Sequence, residues 1–255
     1  WLLGCSATQA QATDTLDREP GLDSLGQFID HYYLLYRDYL PDDCYLTRLS
    51  NGLKVLVCRD KTAPIARVEY VSASGVSAEP ADFQGAAAVL SKLLIGPNDK
   101  LRSSSGFSSR LGELGLQLDT KLSTGALKVR GSAPAMNWEP TLEMLSWMVR
   151  YPRIDTIRVE GAKRELATQA ARAEQDPRYY LNTTFEDRLW GPEKRLHSIL
   201  PEFLPLRKLS VNGVQRFHNM HIVPNASLVA IAGNMPVREA FAAADTFWGD
   251  WRKSS

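Results

Sequence analysis

The stretch that most constrains the fold runs from Gly75 to Gly96, GVSAEPADFQGAAAVLSKLLIG. An apolar run rich in Val and Ile feeds into it, and a helix follows, beginning near Phe83 or Gly85. Val89, Leu90, Leu93 and Leu94 recur there at the spacing of one helical face. A strand that ends in glycine, a short link carrying Glu79 and a buried-type helix closed by a second glycine fix a strand–helix unit. The rest of the chain must pack around it.

The frame of Gly75, Glu79, Gly85 and Gly96 resembles the pitrilysin/insulinase family of zinc peptidases. In that family the helix carries an inverted zinc motif, H-x-x-E-H, in which two histidines one turn apart bind zinc and the glutamate between them polarises water. The matching positions here are Ala88, Ser91 and Lys92. The family places a further zinc-binding glutamate on a long helix well downstream. The match is Gln169, inside RELATQAARAEQDP. An alanine has no lone pair to give, a neutral amide is a poor zinc ligand, and an ammonium repels a divalent cation at close range. The resemblance therefore implies the scaffold, with zinc expected in the family and absent here.

Further blocks carry the likeness from Tyr45 to about Trp251, including a closing helix, a Pro224-Asn225 turn and an apolar strand ending in Gly233. It implies an α+β domain, an antiparallel sheet with helices packed on one face. Family members pair two such domains, so a second domain is expected after Ser255. The strand after the short helix, Leu116, Gln117, Leu118, Asp119 and Thr120, matches the family's peptide-binding edge. There an extended peptide pairs through its main chain, which the loss of catalytic side chains does not touch. The alternative is an edge that is packed or covered.

Three segments are expected: 1–22 as a signal-peptide remnant, lipobox and tether, 23–42 as an amphipathic helix, and 43–255 as the domain. Leu2-Leu3-Gly4 before Cys5 looks like a bacterial lipobox, which makes Cys5 a lipidation site and the chain a periplasm-facing lipoprotein, with the outer membrane as its place. Ser24 and Gln27 have capping-box spacing. Leu25, Phe28, Ile29, Tyr32, Tyr36, Tyr39 and Leu40 follow on one face before Pro41. That face either packs on the domain behind it or docks a partner. Ser50-Asn51-Gly52 signals a hairpin. A three-residue loop sets Cys44 opposite Cys58, where an oxidising compartment allows a disulfide, and a two-residue loop separates them. A helix opening at Pro177 is expected to turn its aromatic residues inward.

Net charge is +1, with 30 basic and 29 acidic residues, which gives no electrostatic case for nucleic acid or an anionic membrane surface. His218 and His221 stand one turn apart without acidic or cysteine neighbours, and read as helix surface or core. Ser91 and Lys92 are adjacent on a helix and diverge by about a hundred degrees, too far for a nucleophilic pair. Glu79 and Glu165 read as surface carboxylates. Three functions stay open. The chain is a non-catalytic family member that binds peptide beside a zinc-bearing domain or partner, part of an active metallopeptidase whose metal site lies elsewhere, or a lipid-anchored assembly protein.

Overall fold

The computed structural model describes residues 43–191 and 203–253. The two expected N-terminal segments, Cys5 among them, lie outside the described residues. Strands β1 (Cys44–Arg48), β2 (Lys54–Arg59) and β3 (Ile65–Ser72) lead to helices α1 (Ala86–Leu94) and α2 (Ser104–Leu114). A hairpin of β4 (Gln117–Leu122) and β5 (Leu127–Pro134) follows, then α3 (Trp138–Arg150), α4 (Thr156–Ala173) and α5 (Pro177–Trp190). After α6 (Phe203–Lys208) and α7 (Val211–His221) come β6 (Ser227–Gly233) and α8 (Val237–Trp248).

The six strands form one sheet in the order β1-β2-β6-β3-β5-β4. The α+β class holds, with one difference from the expected sheet. β6 inserts between β2 and β3 and runs parallel to β2, Val55 facing Val229, while every other pair is antiparallel. β2 and β6 are far apart in sequence, so their connection is a crossover rather than a hairpin, and a crossover permits the parallel direction.

Strict alternation divides the sheet into two faces. Val55, Val57, Val68, Tyr70, Val129 and Ile231 are buried under α1, α3 and α8, and with Leu90, Leu142, Met148 and Trp248 they form the core. The side chains between them are half-buried or exposed. At the first hairpin Gly52 takes φ 88, Gly52 N donates to Leu49 O and Leu49 N to Leu53 O, so the loop holds three residues. Cys44 then lies opposite Cys58, and the two are joined in a disulfide. Asn51 Nδ2 donates to Trp248 O at 2.6 Å, fastening the same turn to the end of α8.

α5 departs from expectation. Tyr180, Leu181, Phe185 and Leu189 are exposed by 57 to 71% rather than turned inward. The buried residues of α4 are Val159, Ala162 and Leu166, and none of the described side chains of α5 is buried.

His218 is buried on α7, and its Nε2 lies 2.8 Å from Val149 O, the geometry of an Nε2–H donor. Burial lowers its pKa from 6.5, against smaller opposing effects of its hydrogen bonds to Val149 and Asn219, and burial lowers that of His221 too. The unfolded chain thus takes up protons on these imidazoles first, so stability present above pH about 6.5 is lost as pH falls below it. The urea midpoint should drop between pH 7.5 and 5.5. That drop should shrink in a folded His218→Gln variant, and an unchanged slope would remove His218 from the account.

Candidate functional site

The centre of interest lies where α1 meets α4. α1 is short and built from small residues at its start, Ala86, Ala87 and Ala88, all buried, which lets it sit close to the sheet. Charge holds it at both ends. The Glu79 carboxylate accepts from Gly85 N and Ala87 N, each at 2.8 Å, satisfying the unpaired amides of the first turn. Glu79 is thus a half-buried helix cap rather than a surface carboxylate, and desolvation raises its pKa despite those two bonds. At the other end Arg158 of α4 donates through Nη2 to Leu93 O at 2.7 Å, and through Nη1 to Pro97 O at 2.9 Å and Arg153 O at 2.6 Å. Burial lowers its pKa from the usual value. A Cβ at Gly96 would lie 2.4 Å from Arg158 Nη2, so glycine there admits the guanidinium.

Between these anchors two of the positions singled out from sequence, Lys92 and Gln169, reach the same carboxylate. Lys92 Nζ donates to Glu165 Oε1 at 2.7 Å across the two helices, and Gln169 Nε2 donates to the same oxygen at 3.0 Å. Ser91 Oγ donates to Ala88 O within α1 at 2.7 Å, so it is turned back on its own helix and away from Lys92. Lys92 and Glu165 side chains are 30% and 54% exposed, so their bond contributes about 0–1 kcal/mol. Its value is as a marker: it fixes which faces of α1 and α4 look at each other.

β4 is the last strand of the sheet and packs beside α1. Leu116 falls one residue before it and is buried, whereas Gln117, Leu118, Asp119 and Thr120 lie on it with alternating exposure. Asp119 is paired with Arg130 of β5 at 2.9 Å.

No family model matches the chain, and no curated protein matches it by sequence. Solved structures do. A protease from Helicobacter pylori matches with a TM-score of 0.77 at 15% identity, over 85% of this chain and 52% of its own. The periplasmic protease PqqL from Escherichia coli gives 0.75 at 14%, over 85% and 25%. Pitrilysin gives 0.73 at 16%, over 83% and 23%. The chain has the pitrilysin fold. This pitrilysin-type domain spans about half the length of the Helicobacter pylori protease and about a quarter of PqqL and pitrilysin.

The zinc that the sequence resemblance implies does not fit the groups at this place. The methyl of Ala88 offers no donor, the Ser91 hydroxyl is spent on a backbone carbonyl, and the carboxylate of Glu165 is already bound by an ammonium and an amide. Among the described residues no three His, Cys, Asp or Glu side chains gather as a metal-holding group. His218 and His221 do not supply one, since His218 is turned onto Val149 and the His221 ring packs on Phe217 with centroids 4.7 Å apart. Sequence reading missed the roles of Glu79 and Arg158. Glu79 reaches Gly85 across six positions, outside the usual capping spacing, and Arg158 acts across two helices with no local signature.

Proposed function

We propose that this pitrilysin-type domain binds extended peptide segments along β4 without hydrolysing them, and works beside a second pitrilysin-type domain or a zinc-bearing partner chain. The observation that carries the reading is the pairing of Lys92 with Glu165. It sets an ammonium in the place where the fold's peptidases would need a cation's ligands, while β4 keeps its place at the sheet's end. A strand added there gains main-chain hydrogen bonds that need none of the four substituted side chains. The partial coverage of longer proteases supports a second unit. The same fact favours the other reading, in which the domain is the non-metal part of an active zinc endopeptidase.

Anchoring through a lipid on Cys5 and a place at the periplasmic face of the outer membrane complete the proposal. The lipobox-like Leu2-Leu3-Gly4-Cys5, the Cys44–Cys58 disulfide and the periplasmic location named for PqqL support it. The test is a fluorescent, unstructured oligopeptide mixture incubated with the purified chain and with zinc. Saturable anisotropy change with every peptide intact is the expected result. Cleavage that stops on chelation would overturn the non-catalytic reading, and no binding at all would overturn the role of β4.

A further inference from the structure

Register settles which groups of β4 look out from the end of the sheet. Ser123 N donates to Ala126 O at 2.9 Å and closes the turn between β4 and β5. Hydrogen-bonded and non-hydrogen-bonded pairs alternate from there along the antiparallel ladder. The main chains of Lys121, Asp119 and Gln117 therefore turn to Lys128, Arg130 and Ser132 of β5, and those of Leu122, Thr120 and Leu118 turn to the open edge. Side chains divide by face. Leu118 and Leu122 are half-buried against the core, whereas Gln117, Asp119 and Lys121 are exposed on the face away from the helices.

Two rows of that face end in a charge at the edge. Glu69, Arg130 and Asp119 stand side by side on β3, β5 and β4, so the sign alternates along the row and finishes on a carboxylate. Arg130 Nη2 holds Asp119 Oδ2 at 2.9 Å, yet the Asp119 side chain is 58% exposed and open to a second cation. In the next row stand Val71, Lys128 and Lys121. Lys128 Nζ lies 3.4 Å from Glu69 Oε1, whereas Lys121 faces the like charge of Lys128 and has no ion pair among the described residues. Like charges directly opposite each other destabilise a ladder.

We propose that β4 selects an antiparallel peptide carrying an acidic residue opposite Lys121 and, two places later in the peptide, a basic residue opposite Asp119. This rests on peptide binding at β4 and adds the sequence preference of that site. Antiparallel pairing is the more stable direction per residue. Leu118, Thr120 and Leu122 exchange the main-chain bonds with the added strand, so Asp119 and Lys121 fall at its non-hydrogen-bonded pairs. Facing side chains come closest at such pairs. A basic residue opposite Asp119 carries the row of Glu69, Arg130 and Asp119 one alternation further, and an acidic one gives Lys121 the counter-charge it lacks. Apolar residues at the alternate places stand beside Leu118 and Leu122. The bound segment thus reads apolar, acidic, any residue, basic, apolar, and the order of its two charges encodes its direction.

The experiment compares two fluorescent peptides of one composition, Val-Glu-Thr-Lys-Val and Val-Lys-Thr-Glu-Val, each flanked by Gly-Ser. Anisotropy with the full chain at low ionic strength should show the first binding about tenfold more tightly, and the gap should narrow in about 0.5 M salt. The double variant Asp119→Lys/Lys121→Glu, with its melting transition retained, should reverse the order. Equal affinities would leave binding at β4 standing and overturn the charge selection. Tighter binding of the second peptide would overturn it too, because that order of charges fits a parallel strand. An order that the double variant does not move would place the selection away from Asp119 and Lys121. Binding of neither peptide would remove the role of β4 itself, and this preference with it.

Discussion

The variant carrying Ala88→His, Ser91→Glu, Lys92→His and Gln169→Glu is expected to bind one equivalent of zinc. The geometry already present explains why four substitutions should suffice. Positions 88 and 92 are one turn apart on α1, and the Lys92–Glu165 bond of 2.7 Å shows that this region of α1 faces α4. Position 169 is one turn further along α4 and reaches the same carboxylate at 3.0 Å. Two imidazoles and a carboxylate introduced there meet the usual three-ligand requirement, and removing the ammonium removes the charge that would oppose a cation. Both ends of α1 are held without metal, by Glu79 and Arg158, so the ligand frame exists before binding. A Kd of about 1 µM or tighter, or about 8 kcal/mol, is the expected scale. Calorimetry with metal analysis reads it, and Lys92→Met alone should bind none. A folded quadruple variant that stays metal-free would show that the four positions do not converge. Ala88 is the position to watch, since it is only 2% exposed and an imidazole there must find room between α1 and its neighbours.

What could be read from the sequence follows the range of each interaction. Which face of a strand is buried is a local property of alternation, and Val55, Val57, Val68 and Tyr70 are buried between half-buried or exposed neighbours. The Ser50-Asn51-Gly52 turn left two registers open, and the left-handed Gly52 with the Leu49–Leu53 bond selects the one that aligns the cysteines. Strand partners are different. Nothing near Lys54 or Leu228 tells that they become parallel neighbours, because the choice is made by the whole sheet closing around β6. α5 shows a second limit. Its apolar residues look alike whether the surface they would meet belongs to the described fold or not, and here Phe185 and Leu189 remain exposed. At the site, residue type alone announced that Ala88, Ser91, Lys92 and Gln169 are unsuited to zinc. The bond from Lys92 to Glu165 joins residues on separate helices, and no periodicity encodes it.

Replacing Gly75 by alanine should destabilise the domain by about 3 kcal/mol or more, although its φ of −74 suits any residue. The reason is space rather than backbone freedom. A Cβ on Gly75 would lie 2.2 Å from Thr124 O, 2.4 Å from Ala126 N and 2.6 Å from Gly125 C, all main-chain atoms of the β4–β5 turn. That turn cannot drift away cheaply, because Val76 N donates to Ser123 O at 3.2 Å, and Ser77 N and Oγ both donate to Thr124 O at 2.9 Å. Two of these three bonds join main chain to main chain and have no rotamer to change. Either the three hydrogen bonds break or the hairpin shifts, and β4 moves with it relative to α1. Gly125, in the same turn, provides the control, since nothing lies within 4 Å of a Cβ built there. Gly125→Ala should keep the wild-type urea midpoint while Gly75→Ala lowers it sharply. Equal midpoints in the two variants would mean that the strap before α1 and the hairpin are not in contact. If Gly75→Ala remains folded at low denaturant, peptide affinity at β4 should fall with the midpoint. The same approach that fixes the hairpin also sets the distance between the edge strand and α1.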